Sequence, residues 1–164
     1  MTEVDRLQRA ASVEFSLADP HGAEAQTCLE QYYGELASRF KEGFDRDAGG
    51  AAAVEDFNQP NGCFLIARLL GKAVGCGAIR TLGPGMGEIK RMWVSPEARG
   101  LGLGRKLLEE LEQSARKLKL HTVRLDTNET LGEAIGLYLA SGYRAISRFN
   151  DNPYAHHWFE KTLT

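Results

Sequence analysis

The stretch RGLGLGRKLLEELE, running from Arg99 to Glu112, sets three glycines at alternate positions directly before a strongly helical run. Glycine in a helix or strand interior costs roughly 0.5–1 kcal/mol relative to alanine, so this spacing points to a backbone that something must approach closely. After the glycines, Leu103, Leu107, Leu108, Leu111, Ala115 and Leu118 recur at the period of a buried helix face. Arg105, Lys106, Glu109, Glu112, Arg116, Lys117 and Lys119 fall on the water side, with Glu112 and Arg116 spaced as an i,i+4 ion pair. A helix start carries unpaired N–H groups and a partial positive charge. Glycines there remove the Cβ atoms that would hold an anion away, and Arg99, Arg105 and Lys106 add fixed charge, so a phosphate group is the expected visitor.

Two familiar phosphate loops are excluded. A Walker loop needs Gly-Lys-Ser/Thr, whereas Gly104 is followed by Arg105-Lys106-Leu107. The dinucleotide fingerprint needs glycine at position 105, which is arginine. What stands is Arg99-x-x-Gly102-x-Gly104. A plain flexible loop beside a core helix is the competing account, and the preceding strand, the Pro96 break, the arginine and the amphipathic helix together argue against it.

Working outward, Val13–Leu17 alternates as a first strand and Ala23–Lys41 carries a helical apolar stripe. Residues 42–62 read as loop with one short helix. Cys63–Leu70 and Ala73–Thr81 flank Gly71-Lys72 as a hairpin, and Gly87–Val94 forms the next strand. Beyond the glycine-led helix come a strand over 121–127, a helix over 131–141 stopped by Gly142, and closing strands over 143–149 and 156–163 around the turn Asn150-Asp151-Asn152-Pro153. This order predicts a mixed α/β (α+β) protein with one sheet, antiparallel at first and parallel around the two later helices.

The chain has 164 residues, 43% hydrophobic and 26% charged, with a formal charge of −2. That length predicts one domain over residues 1–164, with a flexible tail over residues 1–10. The charge balance gives no basic field for nucleic acid, and no apolar run reaches the roughly 20 residues of a membrane span. The amino terminus lacks the apolar centre of a signal peptide. Cys28, Cys63 and Cys76 are widely spaced and form no CxxC pair, which predicts buried reduced thiols, no metal site and a cytoplasmic location.

With these elements in place, the chain resembles the GNAT superfamily of acyl-CoA-dependent N-acetyltransferases, whose signature is Arg/Gln-x-x-Gly-x-Gly/Ala after a strand. The run KRMWVSPEARGLGLGRKLLEEL carries the likeness, and VRLDTN and AIGLYLASGYR match the family's next strand and helix. The resemblance covers most of the region from Cys63 to Gly142, while residues 1–60 match only in the order of elements. GEIKRMWV, LDTN and NPYAHHWFEK are also similar to runs in acetyltransferase domains related to MarR-type regulator fusions, here without a preceding helix-turn-helix module.

The resemblance implies the GNAT fold: a mostly antiparallel sheet of about six to seven strands with a splayed parallel pair, flanked by about four helices. It implies acetyl-CoA as cosubstrate, an amine acceptor, no metal, and compatibility with a homodimer. Carried onto this sequence, the amides of Arg99, Gly100, Leu101, Gly102, Leu103, Gly104 and Arg105 hold the coenzyme pyrophosphate. The backbone of Met92, Trp93 and Val94 pairs with the pantetheine arm as an added strand. Tyr138 matches the tyrosine beside the coenzyme sulfur and is the expected proton donor, although a tyrosine on an apolar helix face otherwise belongs to the core. Glu88 matches a glutamate used as base, whose pKa an apolar setting would raise; the alternative is a strand glutamate paired with Lys90 or Arg91. Many relatives carry Asn where this chain has Leu131, and Asn128 either takes over that coenzyme contact or caps a turn.

The resemblance places the acceptor pocket between the first long helix and the last strand connection. Tyr32, Tyr33, Asn150, Tyr154 and His156 are its expected lining. His156 and His157 point to opposite faces of a strand, so at most one meets the pocket, where it is a second candidate base. The expected activity is N-acetylation of a small-molecule or amino-acid amine. A protein acetyltransferase and a non-catalytic acyl-CoA sensor are the rival functions.

Overall fold

Alternating apolar residues from 62 to 69 build the middle of the sheet, sending Phe64 and Ile66 to one face and Cys63, Leu65 and Ala67 to the other. The computed structural model describes residues 1–48 and 53–164. Its elements are α1 (Glu3–Ala11), β1 (Val13–Leu17), α2 (Ala23–Arg39), β2 (Gly62–Leu69), β3 (Lys72–Gly83), β4 (Met86–Val94), α3 (Leu103–Lys117), β5 (Thr122–Thr127), α4 (Gly132–Ala140), β6 (Arg144–Ile146) and β7 (His157–Thr162). The seven strands form one sheet in the order β1-β2-β3-β4-β5-β7-β6. Every pairing is antiparallel except β4–β5. The expected mixed sheet with one parallel pair and four helices is therefore the observed architecture.

On one face, α2 buries Ala25, Cys28 and Leu29 against Phe57, Phe64, Ile66 and Trp93. On the other, α3 and α4 set Leu107, Leu108, Leu111 and Tyr138 against Leu65, Ile79, Val123 and Leu125. The α3 axis comes close to the sheet because position 77 is glycine: a Cβ there would lie 2.7 Å from Leu111 Cδ1. Among the described residues, no helix is long and apolar enough to cross a membrane.

Three local readings change. The tail expected over residues 1–10 is mostly helix α1, because Thr2 and Asp5 form a reciprocal capping box that satisfies the helix start. Of the 42–62 segment, residues 49–52 lie outside the described residues, and the short helix is a 3₁₀ turn at Val54–Phe57. Glu112, expected in water beside Arg116, is buried: it accepts from Tyr143 Oη at 2.8 Å and from Lys161 Nζ at 2.9 Å. Helical period alone missed this because the C-terminal strand folds over that edge of α3.

Removing the Tyr143 hydroxyl leaves part of the Glu112 charge without its donor. Tyr143→Phe should therefore lower unfolding free energy by ~1–3 kcal/mol in urea denaturation, while Glu110→Gln on the exposed side of α3 should change it by less than about 0.5 kcal/mol.

Candidate active site

β4 and β5 pair at Met86–Thr122, Gly87–Val123 and Glu88–Arg124, and no pairing follows. β4 continues to Val94 against β3, and β5 continues to Thr127 against β7, so a wedge opens between two strands that each keep their outer neighbour. Backbone groups facing that wedge are left for a ligand or solvent to satisfy. Within β4, Trp93 faces Cys76 and Lys90 faces Ala78, so Arg91 and Met92 bulge opposite Gly77. Arg91 takes a left-handed φ of 58° to make the bulge, and Cys76 Sγ donates to its carbonyl at 3.3 Å. The bulge breaks strict alternation, which is why Ile89, Lys90, Arg91 and Met92 all border the same cleft.

At one end of the wedge stands the glycine loop. Gly100 and Gly102 have φ of 84° and 71°, and a Cβ at either would project into open space. Among the described residues, the N–H groups from Gly100 to Arg105 meet no protein acceptor. At Gly104 a Cβ would touch Leu137 Cδ2 at 3.4 Å, an ordinary van der Waals contact. The expected cationic ring is otherwise engaged. Arg99 donates through Nη2 to Glu35 and through Nε to the Val94 carbonyl, and Lys106 Nζ reaches the Ala10 carbonyl. The cradle is therefore made of backbone amides at a helix start, a geometry suited to a phosphate group.

The cleft itself is bounded by α2 through Tyr32, Tyr33 and Leu36, by α4 through Leu131, Ala134 and Tyr138, and by β4 and β5. Its outer wall is aromatic. Phe44 and Tyr154 ring centres are 4.9 Å apart, Phe40 and Tyr154 are 5.6 Å apart, and Asp45 N–H donates to Tyr154 Oη at 2.7 Å. Tyr138 borders the cleft, and its hydroxyl has no hydrogen-bond partner among the described residues. Burial, with Asp126's negative charge adding to it, holds that phenol well above its ordinary range, so it remains a proton-bearing donor.

Glu88 is wholly buried, yet not in the apolar setting expected for it. Arg80 Nε donates to Oε1 at 2.7 Å, Asn150 Nδ2 donates to Oε2 at 3.1 Å, and Lys90 Nζ lies 3.6 Å away. Its carboxylate stands behind the cleft wall, whereas Asp126, on β5 in the LDTN run, borders the cleft, as Asp45 does at the outer wall. Asp126 accepts from Asn150 at 2.6 Å and from Asn152 at 3.1 Å, with Lys90 Nζ 3.8 Å off. Asp126 and Lys90 were not among the expected site residues. Their signal was the period-two alternation of β4 and β5, which puts a charged residue on an otherwise apolar strand only where polar partners meet it.

Of the expected site residues, Tyr32, Tyr33, Asn150, Tyr154 and Met92 border the cleft, whereas Trp93 turns its ring into the α2 side of the core. Asn128 also borders it, but both ends of its amide are used: Nδ2 donates to the Tyr154 carbonyl and Oδ1 accepts from Thr130 N and Oγ1. Asn128 thus does what the turn-capping alternative predicts. His156 does not join the cleft. It is exposed, with Nδ1 accepting from Glu129 N–H at 3.1 Å, and His157 stacks on Phe159 instead.

This combination of a parted parallel pair, a free amide cradle and a tyrosine-lined cleft defines an acyl-carrier-dependent transferase site. The model of the acetyltransferase (GNAT) family matches residues 27–143. An uncharacterised N-acetyltransferase of Schizosaccharomyces pombe is 39% identical over 105 residues, 63% of this chain and 64% of that protein. An IAA acetyltransferase of Azospirillum brasilense is 38% identical over 117 residues, 70% of this chain and 71% of that one. The crystal structure of a Klebsiella pneumoniae protein assigned as an acyl-CoA N-acyltransferase superposes with a TM-score of 0.75 at 30% identity, covering 94% of this chain and 99% of the other. The chain belongs to the GNAT acetyltransferase family.

Burial keeps Tyr138, Tyr143 and Tyr32 protonated beyond the usual phenol range. A raised folded-state pKa contributes stability that is complete below the unfolded value of about 10 and is lost as pH rises past it. Phenolate absorbance should therefore report fewer than the five tyrosines until alkaline unfolding begins, and chemical stability should start to fall above about pH 10.

Proposed function

We propose that the protein transfers an acetyl group from acetyl-CoA to the primary amine of a small molecule or amino acid. The observation that carries this is the run of unpartnered amides from Gly100 to Arg105, set at the mouth of the β4–β5 wedge. The residues fit the group: positive-φ glycines with open space at their absent side chains leave room for a diphosphate against the backbone. When bound, acetyl-CoA supplies an activated acetyl thioester.

The chain's own residues supply the rest. The free edges of β4 and β5 hold an extended arm by strand addition, with Met92 and Val94 at its side. Asp126 faces the cleft with lone pairs left over after its two amide donors, so it takes the proton that an ammonium must lose to become a nucleophile. Lys90 and Arg91 border the same space, and their positive charge favours the neutral amine. Tyr138 Oη points its proton where thiolate charge develops. Glu88, held by Arg80 and Asn150, balances Lys90 from behind and positions Asn150 rather than meeting the acceptor.

A purely binding role would need neither Tyr138 nor Asp126 facing the cleft. A peptide acceptor needs an open groove, whereas Tyr154 and the 43–46 segment close the outer wall through the Asp45–Tyr154 hydrogen bond. The three buried free thiols suit a reducing, cytoplasmic setting. The GEIKRMWV, LDTN and NPYAHHWFEK runs all contribute to this cleft, which supports the likeness to transferase domains related to MarR-type fusions.

Acetyl-CoA at a hundredfold excess over Kd should stabilise the fold by about 2.7 kcal/mol, read as a rise in Tm. Gly102→Val should abolish that rise, because a β-branched side chain both enters the cradle and strains the left-handed backbone that shapes it. Release of free CoA across a panel of amines, amino acids and peptides tests the reaction, and absence of release with every acceptor would defeat it. Tyr138→Phe should lower kcat by ~10²-fold or more with acetyl-CoA affinity nearly unchanged. Asp126→Asn should lower kcat by ~10²-fold or more, whereas Glu88→Gln should change it far less.

A further inference from the structure

The tyrosines that border the cleft carry hydroxyls of two kinds. Tyr33 Oη accepts from Arg91 Nε at 2.9 Å and Tyr154 Oη accepts from the Asp45 N–H at 2.7 Å, so both are taken up in holding the acceptor wall together. Tyr32 and Tyr138 differ, since neither hydroxyl meets a protein partner among the described residues. Neither is sealed inside the protein either: among the described residues, the side-chain polar atom buried without a partner is Trp93 Nε1. Tyr138 has a place in the reaction. Tyr32 has none.

A hydroxyl is out of place where Tyr32 stands. Ala25, Cys28, Leu29 and Leu36 form the buried stripe of α2, and Tyr32 lies on it, three or four residues from Cys28, Leu29 and Leu36. Its ring packs against the cluster that holds Phe57, Phe64 and Trp93, with the Tyr33 ring centre 5.5 Å away. The hydroxyl therefore reaches the cleft from the α2 wall, on the face of the sheet opposite Tyr138 and α4. Burial holds the Tyr32 phenol above its ordinary range; the charge of Arg91 opposes that shift, and Asp126 and Tyr138 add to it, so all of them face one space. Tyr32 is thus a proton-bearing donor with a fixed ring, the kind of dipole that costs no reorganisation when charge appears beside it.

Acyl transfer from a thioester builds charge on two atoms in turn. As the amine nitrogen bonds to the carbonyl carbon, the C=O π pair moves onto oxygen. As the C–S bond breaks, that pair returns to carbon and sulfur takes the bonding pair. Asp126 removes the amine proton and Tyr138 gives one to sulfur, which leaves the carbonyl oxygen served by no side chain.

We propose that Tyr32 is a catalytic residue, its hydroxyl donating to the thioester carbonyl oxygen from the α2 wall while Tyr138 serves the sulfur from the α4 wall. Tyr32 keeps its proton throughout and stabilises the oxyanion by hydrogen bonding alone. The proton held by Asp126 replaces the one lost by Tyr138 once products leave, so amine and thioester become amide and thiol with nothing left over. The proposal rests on the acetyltransferase reading and adds the donor which that reading lacks.

Infrared difference spectra of acetyl-CoA labelled with ¹³C at the carbonyl, bound to the protein, test it without any acceptor. Donation by Tyr32 polarises the bond, so the carbonyl band should lie lower in the unaltered protein than in Tyr32→Phe, while Tyr138→Phe should leave it in place. Tyr32→Phe keeps the ring and its packing, so the acetyl-CoA thermal shift should persist and verify a folded, loaded variant. With the panel amine that releases thiol fastest, Tyr32→Phe should lower kcat by ~10²–10³-fold at nearly constant KM for acetyl-CoA. A ring that only packs would move neither reading. An unmoved band in Tyr32→Phe, a band moved by Tyr138→Phe instead, or a kcat within about threefold of the unaltered protein overturns the proposal. The transferase reading survives each of these as long as acetyl-CoA binds and thiol is released. If no amine in the panel reacts, the band alone decides. If acetyl-CoA gives neither a thermal shift nor a bound carbonyl band, the transferase reading fails and the proposal falls with it.

Discussion

Two parallel strands that pair over three positions and then part leave main-chain donors and acceptors facing an open slot, and the rest of the molecule is arranged around that slot. The parting survives because each strand keeps a full antiparallel neighbour, β3 for β4 and β7 for β5. A gap of this kind in the centre of a sheet would otherwise expose unpaired backbone at a cost the fold would not bear. α2 closes it on one face and α4 on the other, while the start of α3 presents its amides at one end.

Charge organises the acceptor side in the same economical manner. Glu88 stands at the last paired position of β4 and Asp126 two residues past the last paired position of β5, with Asn150 donating to both of them. Trp158 Nε1 in turn donates to Asn150 Oδ1 at 2.9 Å, so the connection between the last two strands is fixed by the same polar cluster that lines the cleft. Two carboxylates, two nearby cations and a shared amide form one polar network, in which Lys90 is held by ion pairs to both Glu88 and Asp126.

The aromatic wall contributes shape more than charge. Phe40 and Phe44 follow α2, Tyr154 belongs to the segment before β7, and the rings meet at 4.9–5.8 Å. Their contact closes the cleft on the side away from the glycine loop.

Local patterns in the sequence were sufficient for the order of elements from β1 onward and for the parallel crossover, because helical and strand periods and turn residues act over a few neighbouring residues; they missed α1. The family resemblance, rather than local pattern, pointed to Tyr32, Tyr33, Asn150, Tyr154 and Tyr138, which all border one cleft. The sequence did not distinguish Glu88 from Asp126, place His156 outside, or bury Glu112, and it offered Lys90 only as a partner for Glu88. Those outcomes were decided by tertiary structure. Whether a charged side chain is paired, hidden or left reaching into a cavity depends on groups tens of residues away, such as Asn150 against Asp126 and Lys161 against Glu112, which come together only when the sheet closes.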